Sequence, residues 1–262
     1  MENLLIVCPG LLGDALCSFP AVLEYAKQHG PLGIYFRNRN ILPLVPKHEN
    51  LFLLKEEPSG AKELNIHDLF GSCVHTGHMT QAYFKGLGLP VPAEAPRIPI
   101  TQDIYLDKLY SKFDFLISPY SFSDDRGNKA WPMERWESVI EYLTNIGSVG
   151  VLGVSKGFPN LHLFSNVTMI LDQPLDVVAC LIRKAGMVLS VDNGISHLTA
   201  AIGTPHVLLY PAALPLCWVR NANPNVVTMQ NTPINIQVHE VINGVRELQS
   251  MLSTTKSSLL KD

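Results

Sequence analysis

Apolar residues in this 262-residue chain fall into short unbroken runs separated by stretches with helical spacing. The first series predicts a strand at Leu4–Val7, a helix at Ala15–Gln28, strands at Gly33–Phe36 and Leu51–Leu54, and a helix near Gln81–Gly86. A second series predicts strands at Phe115–Ser118, Val149–Val154, Val167–Ile170, Met187–Val191 and Val207–Tyr210, with helices at Glu134–Asn145, Leu175–Lys184 and Ile195–Ile202. Apolar runs alternating with helical patterns imply an α/β fold with parallel sheets covered on both faces. Pro90, Pro92, Pro96 and Pro99 fit neither a helix interior nor a central strand, so they mark a connection between two units. The expected domains are residues 1–110 and 111–262. Val238 to Leu252 carries apolar residues on one face and should close the second unit, with Ser253 to Asp262 polar enough to fray.

Composition narrows the class. With 47% hydrophobic residues and 16% charged ones the chain can bury a substantial core. A formal charge of −3 supplies no overall basic field for a nucleic-acid backbone. No apolar run approaches the roughly 20 residues of a membrane span, and Met1-Glu2-Asn3 lacks the charged start of a signal peptide, so a cytoplasmic location is expected. The five cysteines, Cys8, Cys17, Cys73, Cys180 and Cys217, are scattered without a C-x-x-C pair, which argues against a disulfide framework or a zinc site.

Three turns carry candidate chemistry. The segment Ser190-Val191-Asp192-Asn193-Gly194-Ile195-Ser196-His197 delivers a helix N-terminus to the end of a strand, where unpaired N–H groups and the helix dipole suit a phosphate. His197 can point to a ligand or satisfy a buried contact. Pro9-Gly10-Leu11-Leu12-Gly13-Asp14 follows the first strand; Gly10 and Gly13 allow close approach of backbone to ligand, and Asp14 can cap the helix or act as a base. The spacing is not the dinucleotide fingerprint G-x-G-x-x-G. Lys129, ahead of Trp131-Pro132, is a point charge suited to phosphate, and the tryptophans are core candidates. Asp124 and Asp125 are adjacent and no D-x-D occurs, so a diphosphate-bridging metal lacks its carboxylates; His75 and His78 lack companions for a metal set.

Together these segments resemble glycosyltransferase family 9, the ADP-heptose:lipopolysaccharide heptosyltransferase family. Leu4 to Ala21 is similar to the family's opening strand, G-D turn and L-x-x-x-P-A helix. Lys129-Ala130-Trp131-Pro132-Met133-Glu134-Arg135-Trp136 is similar to its K-x-W-P-x-x-x-W segment, and Leu189 to Pro205 to its S-x-D-[TS]-G-x-x-H-L-A-A-x-x-x-[TR]-P signature. The resemblance implies a GT-B fold of two Rossmann-like domains facing across a cleft, with the acceptor on the first and a nucleotide sugar on the second. It implies Asp14 as general base, Gly10 and Gly13 on the acceptor-side loop, and Lys129, Asp192, Asn193, Gly194 and His197 around the donor. The reaction implied is inverting and metal-independent, with no cofactor. ADP-heptose is the favoured donor, and lipopolysaccharide or a related surface glycan the acceptor.

The chain departs from the family pattern in places. Asn193 stands where a small hydroxyl residue is usual, and Ser155-Lys156-Gly157-Phe158-Pro159-Asn160 lacks the acidic residue common near the donor ribose. The chain is also shorter than typical members, which keeps open a nucleotide-sugar-binding or scaffold protein of weak activity. Arg37, Arg39 and Lys47 form a local basic group that either meets a phosphorylated glycolipid, through a peripheral contact at the inner face of the cytoplasmic membrane, or is a solvated loop.

Overall fold

The computed structural model describes residues 4–65, 69, 78–101, 110–121, 129–155, 167–211 and 226–259. Two parallel sheets organise the chain, each in its own compact unit. In the first unit β1 (Leu4–Cys8), α1 (Leu12–His29), β2 (Leu32–Phe36), β3 (Leu51–Leu53), β4 (Lys62–Glu63) and α2 (Met79–Gly86) follow in order. The sheet runs β3-β2-β1-β4, all parallel, with Ile6 opposite Ile34 on one side and Lys62 on the other. Ile6, Leu16, Phe19 and Phe36 are fully buried, and the last two rings meet edge to face at 5.8 Å. Gly30, at φ +89°, ends α1 in a conformation that L side chains rarely adopt.

The second unit holds β5 (Phe115–Ser118), α3 (Met133–Thr144), β6 (Val149–Gly153), β7 (Val167–Leu171), most of α4 (Leu175–Lys184), β8 (Met187–Val191), α5 (Gly194–Ile202), β9 (His206–Tyr210), β10 (Val226–Gln230) and α6 (Val238–Leu259). Its order, β7-β6-β5-β8-β9-β10, is the doubly wound arrangement in which the chain starts at the centre, builds to one side, then returns to build the other. The strands are short and apolar because both sheet faces are covered. Phe115, Ile117, Val149, Val151, Leu189, Val191, Val207 and Leu209 turn to one face, where α3 and α6 close the core with Trp136, Val139, Val241 and Val245. Residues of alternate parity, among them Ser190 and His206, belong to the opposite face.

The structure shifts several expected boundaries. Helix α1 begins at Leu12, not Ala15, so Asp14 lies inside the first turn instead of preceding the helix. The expected frayed tail is helical to Leu259. Strands β4 and β10 add to the expected set. Among the described residues no helix is long and apolar enough to cross a membrane.

Candidate functional site

The second sheet reverses its direction of growth between β5 and β8, and the crevice beyond the carboxyl ends of such neighbours is where doubly wound folds take ligands. Five buried residues of β8 lead directly into Asp192 and then into α5. Asn193 caps that helix: its Oδ1 accepts the Ser196 N–H at 2.9 Å, while the Ser196 hydroxyl donates to the Asn193 carbonyl at 2.6 Å. The N–H groups of Gly194 and Ile195, in the first turn, have no acceptor within the helix and stand at its positive end. Gly203, at φ +87°, closes α5 by donating its N–H to Thr199 O at 2.9 Å.

A cation is fixed beside this turn. Lys129 Nζ lies 2.8 Å from Asp192 Oδ2, with the aspartate side chain 7% exposed and the lysine 23%. Two residues along, Trp131 is buried and its indole N–H donates to Ile236 O at 2.9 Å; Arg135 donates to the carbonyls of Ile234 at 2.6 Å and Ile236 at 2.5 Å. Trp131 also meets the fully buried Trp136 edge to face, with centroids 5.0 Å apart. The tryptophans are therefore core residues, as their composition suggests, and they also anchor the short segment that holds Lys129. A diphosphate at this turn would meet backbone N–H groups and one ammonium whose position Asp192 sets.

In the first unit the corresponding turn is built differently. Asp14 Oδ2 accepts the Leu11 N–H at 3.0 Å, so the carboxylate folds back over the start of α1. Gly10 is required by space: a Cβ there would lie 2.3 Å from Asp14 Cβ and 2.6 Å from Oδ2. Gly13 is buried in the first turn of the helix. Asp14 has no ion-pair partner among the described residues, whereas Asp192 has one. Behind Asp14, burial pushes the Cys8 thiol up to about 12, opposed by a hydrogen bond with Ser18 and aided by the Asp14 charge. Burial above all, with the Asp14 charge adding, also raises Cys17 and Tyr83 well above their ordinary values. These groups therefore stay protonated at neutral pH.

The remaining candidates separate clearly. His197 is buried on α5, and its charge bears on His206, which burial first and that charge second push down to about 3. His206 Nε2 and Ser190 Oγ are 2.8 Å apart, a buried pair that no sequence signal marked. His78 is the cap of α2, its Nδ1 accepting the Thr80 N–H at 3.1 Å, while His75 and Asp124 to Asn128 lie outside the described residues, as do Lys156 to Asn160. Of the expected basic group, Arg37 bridges Glu57 at 2.6 Å and Glu63 at 3.1 Å, and Arg39 donates to Leu54 O and lies over the Tyr35 ring. Among the described residues no group of three or more His, Cys, Asp or Glu side chains could hold a metal ion.

Comparison with known proteins bears on this arrangement. Residues 78–241 match the sequence profile of glycosyltransferase family 9 (heptosyltransferase). Lipopolysaccharide heptosyltransferase 1 of Escherichia coli K12 is 32% identical over 145 residues, which is 52% of this chain and 44% of the relative; the chain thus matches less than half the length of that enzyme. The solved structure of E. coli ADP-heptose lps heptosyltransferase II superposes with a TM-score of 0.68 at 12% identity, covering 96% of this chain and 100% of the other. E. coli heptosyltransferase WaaC with ADP gives 0.65 at 16% identity, covering 94% and 100%. These likenesses show the fold, an α/β GT-B architecture with parallel sheets in Rossmann-like units.

Proposed function

The chain belongs to glycosyltransferase family 9, the heptosyltransferase family, and on that premise we propose that it transfers a sugar, heptose from ADP-heptose in the favoured case, to a lipopolysaccharide or related surface-glycan acceptor. The observation that carries this reading is the Lys129–Asp192 pair, held at 2.8 Å beside the first turn of α5 at the β5/β8 reversal point. The reading gives residues 111–262 the nucleotide sugar and residues 1–110 the acceptor.

The chemistry is a single displacement with inversion. The bond from the anomeric carbon to the diphosphate breaks as the acceptor oxygen bonds to that carbon through an oxocarbenium-like state. The acceptor proton goes to Asp14, and the electron pair leaves with the diphosphate. Lys129 and the α5 amides stabilise the charge that develops on the departing ADP, without recourse to a metal ion. Gly10 keeps the Asp14 carboxylate seated, and His197 borders the phosphate end. Glycolipid acceptors would bring the protein to the inner face of the cytoplasmic membrane. Because Arg37 is already paired with Glu57 and Glu63, such a contact rests on other groups.

One observation favours a second reading, a nucleotide-sugar-binding protein without turnover: Asp14 is engaged as a helix cap. Release of ADP from ADP-heptose, with and without a lipopolysaccharide-core acceptor, separates the two. The proposed function predicts acceptor-dependent release that Asp14→Asn suppresses without loss of ADP binding; binding with no release in either protein would support the second reading.

A further inference from the structure

The family resemblance points to Asn193 as a donor contact, yet both ends of its side-chain amide are already engaged. Oδ1 accepts from Ser196 N at 2.9 Å. Nδ2 donates to Tyr120 O at 2.7 Å and to Ser118 Oγ at 3.0 Å, with Ser118 O at 3.4 Å. Ser118 ends β5, and Asn193 follows β8, its neighbour in the sheet. One side chain therefore ties together the two strand ends that border the reversal point. The bonds fall on either side of Pro119, which restricts Ser118 to extended backbone, so the segment they hold is already stiff on one side. Tyr120, 41% exposed, is held there by its own carbonyl.

The amide group suits this task. A serine or threonine hydroxyl at residue 193 still caps α5, but it is too short to cap the helix and reach across to Tyr120 O as well. Aspartate keeps the cap but turns an oxygen toward the Ser118 and Tyr120 carbonyls, where a donor is needed.

We infer that Asn193 is a positioning residue: it clamps the β5 end to the β8–α5 turn, so that the Gly194 and Ile195 N–H groups and Lys129, not the Asn193 side chain, meet the diphosphate. The inference rests on the donor assignment above, but its first readout needs no ligand. Hydrogen–deuterium exchange of residues 116–121 and of α5 is measured in the free 262-residue chain for wild type, Asn193→Asp and Asn193→Thr. ADP affinity is then measured by calorimetry.

In both variants residues 116–121 should exchange about tenfold faster as the local opening energy falls. Helix α5 keeps its cap and should change by no more than about twofold. ADP should bind about three- to tenfold more weakly, the scale of a lost hydrogen bond's worth of order. Exchange of residues 116–121 as slow as in wild type overturns the clamp, and doubly so if ADP binding falls, because the side chain then touches the nucleotide itself. Fast exchange with unchanged ADP affinity overturns its role in positioning the donor site. If wild type fails to bind ADP, the donor assignment falls while the exchange comparison still decides the clamp. Should Asn193→Asp fail to fold, Asn193→Thr carries both readouts.

Discussion

Two turns in this chain share a plan and differ in chemistry. Each follows a central parallel strand, begins a helix and carries an aspartate: Asp14 after β1 and Asp192 after β8. At the first, the carboxylate is half-buried, folded onto a backbone N–H, with no cation among its described neighbours. At the second, the carboxylate is buried against a lysine, and a separate residue, Asn193, takes over the capping. On the function proposed above, Asp14 takes the acceptor's proton, while Asp192 holds the Lys129 ammonium in place beside the start of α5. On that reading the same topology would serve proton transfer at one turn and anion binding at the other.

Substitutions that remove one capacity and spare the other test that contrast. The largest effect is expected for Asp14→Asn, which keeps an acceptor for the Leu11 N–H: transfer should fall by about a factor of 10³, typical of a lost general base, with ADP affinity unchanged in calorimetry. Lys129→Met should weaken ADP binding by about tenfold or more, and it leaves Asp192 buried without its counter-charge, at a cost of about 2 kcal/mol in denaturant unfolding. Adding Asp192→Asn to Lys129→Met should recover most of that stability and none of the binding. Gly10→Ala forces Asp14 aside, and transfer should drop about tenfold, the consequence of misplacing a catalytic group by a fraction of an ångström, with ADP affinity again intact.

The smallest effect is graded with pH and belongs to the second unit. His206 is held neutral when folded, near 3, against an ordinary 6.5, so the unfolded chain binds more protons between those values and stability falls as the solution is acidified from about pH 6.5 towards 3. Its share should not exceed about 1.4 kcal/mol per pH unit in that window. Asp114 and Asp172, lowered chiefly by bonds to Ser148 and Ser155, lose stability in the same direction below the ordinary carboxylate range. Urea unfolding at pH 7 and pH 5 should show a smaller difference for His206→Asn than for wild type; equal differences would contradict the assignment.

Much of this was legible in the sequence where one segment carries its own signal. Met187–Val191 is a continuous apolar and small-residue run ending in Asp-Asn-Gly, and β8 and α5 follow within one residue of the expected bounds. Glycine misplaced the start of α1: Gly10 and Gly13 read as loop, but Gly10 makes room for Asp14 and Gly13 is helical. Strand β4 is two exposed residues, Lys62 and Glu63, with no apolar pattern to announce it. What no local pattern encodes is pairing across distance. Arg37 meets Glu57 and Glu63 from 20 and 26 residues away, so one member of a cluster that reads as basic is paired with acids in the fold. Lys129 and Asp192 likewise come together only when β8 is laid beside β5.

The most direct test is a structure with ADP bound. The account predicts β-phosphate oxygens within about 3 Å of the Gly194 and Ile195 N–H groups and of Lys129 Nζ, with the Asn193 amide still bonded to Tyr120. ADP seated at the β1–α1 turn beside Asp14, with the β8–α5 turn empty, would contradict it.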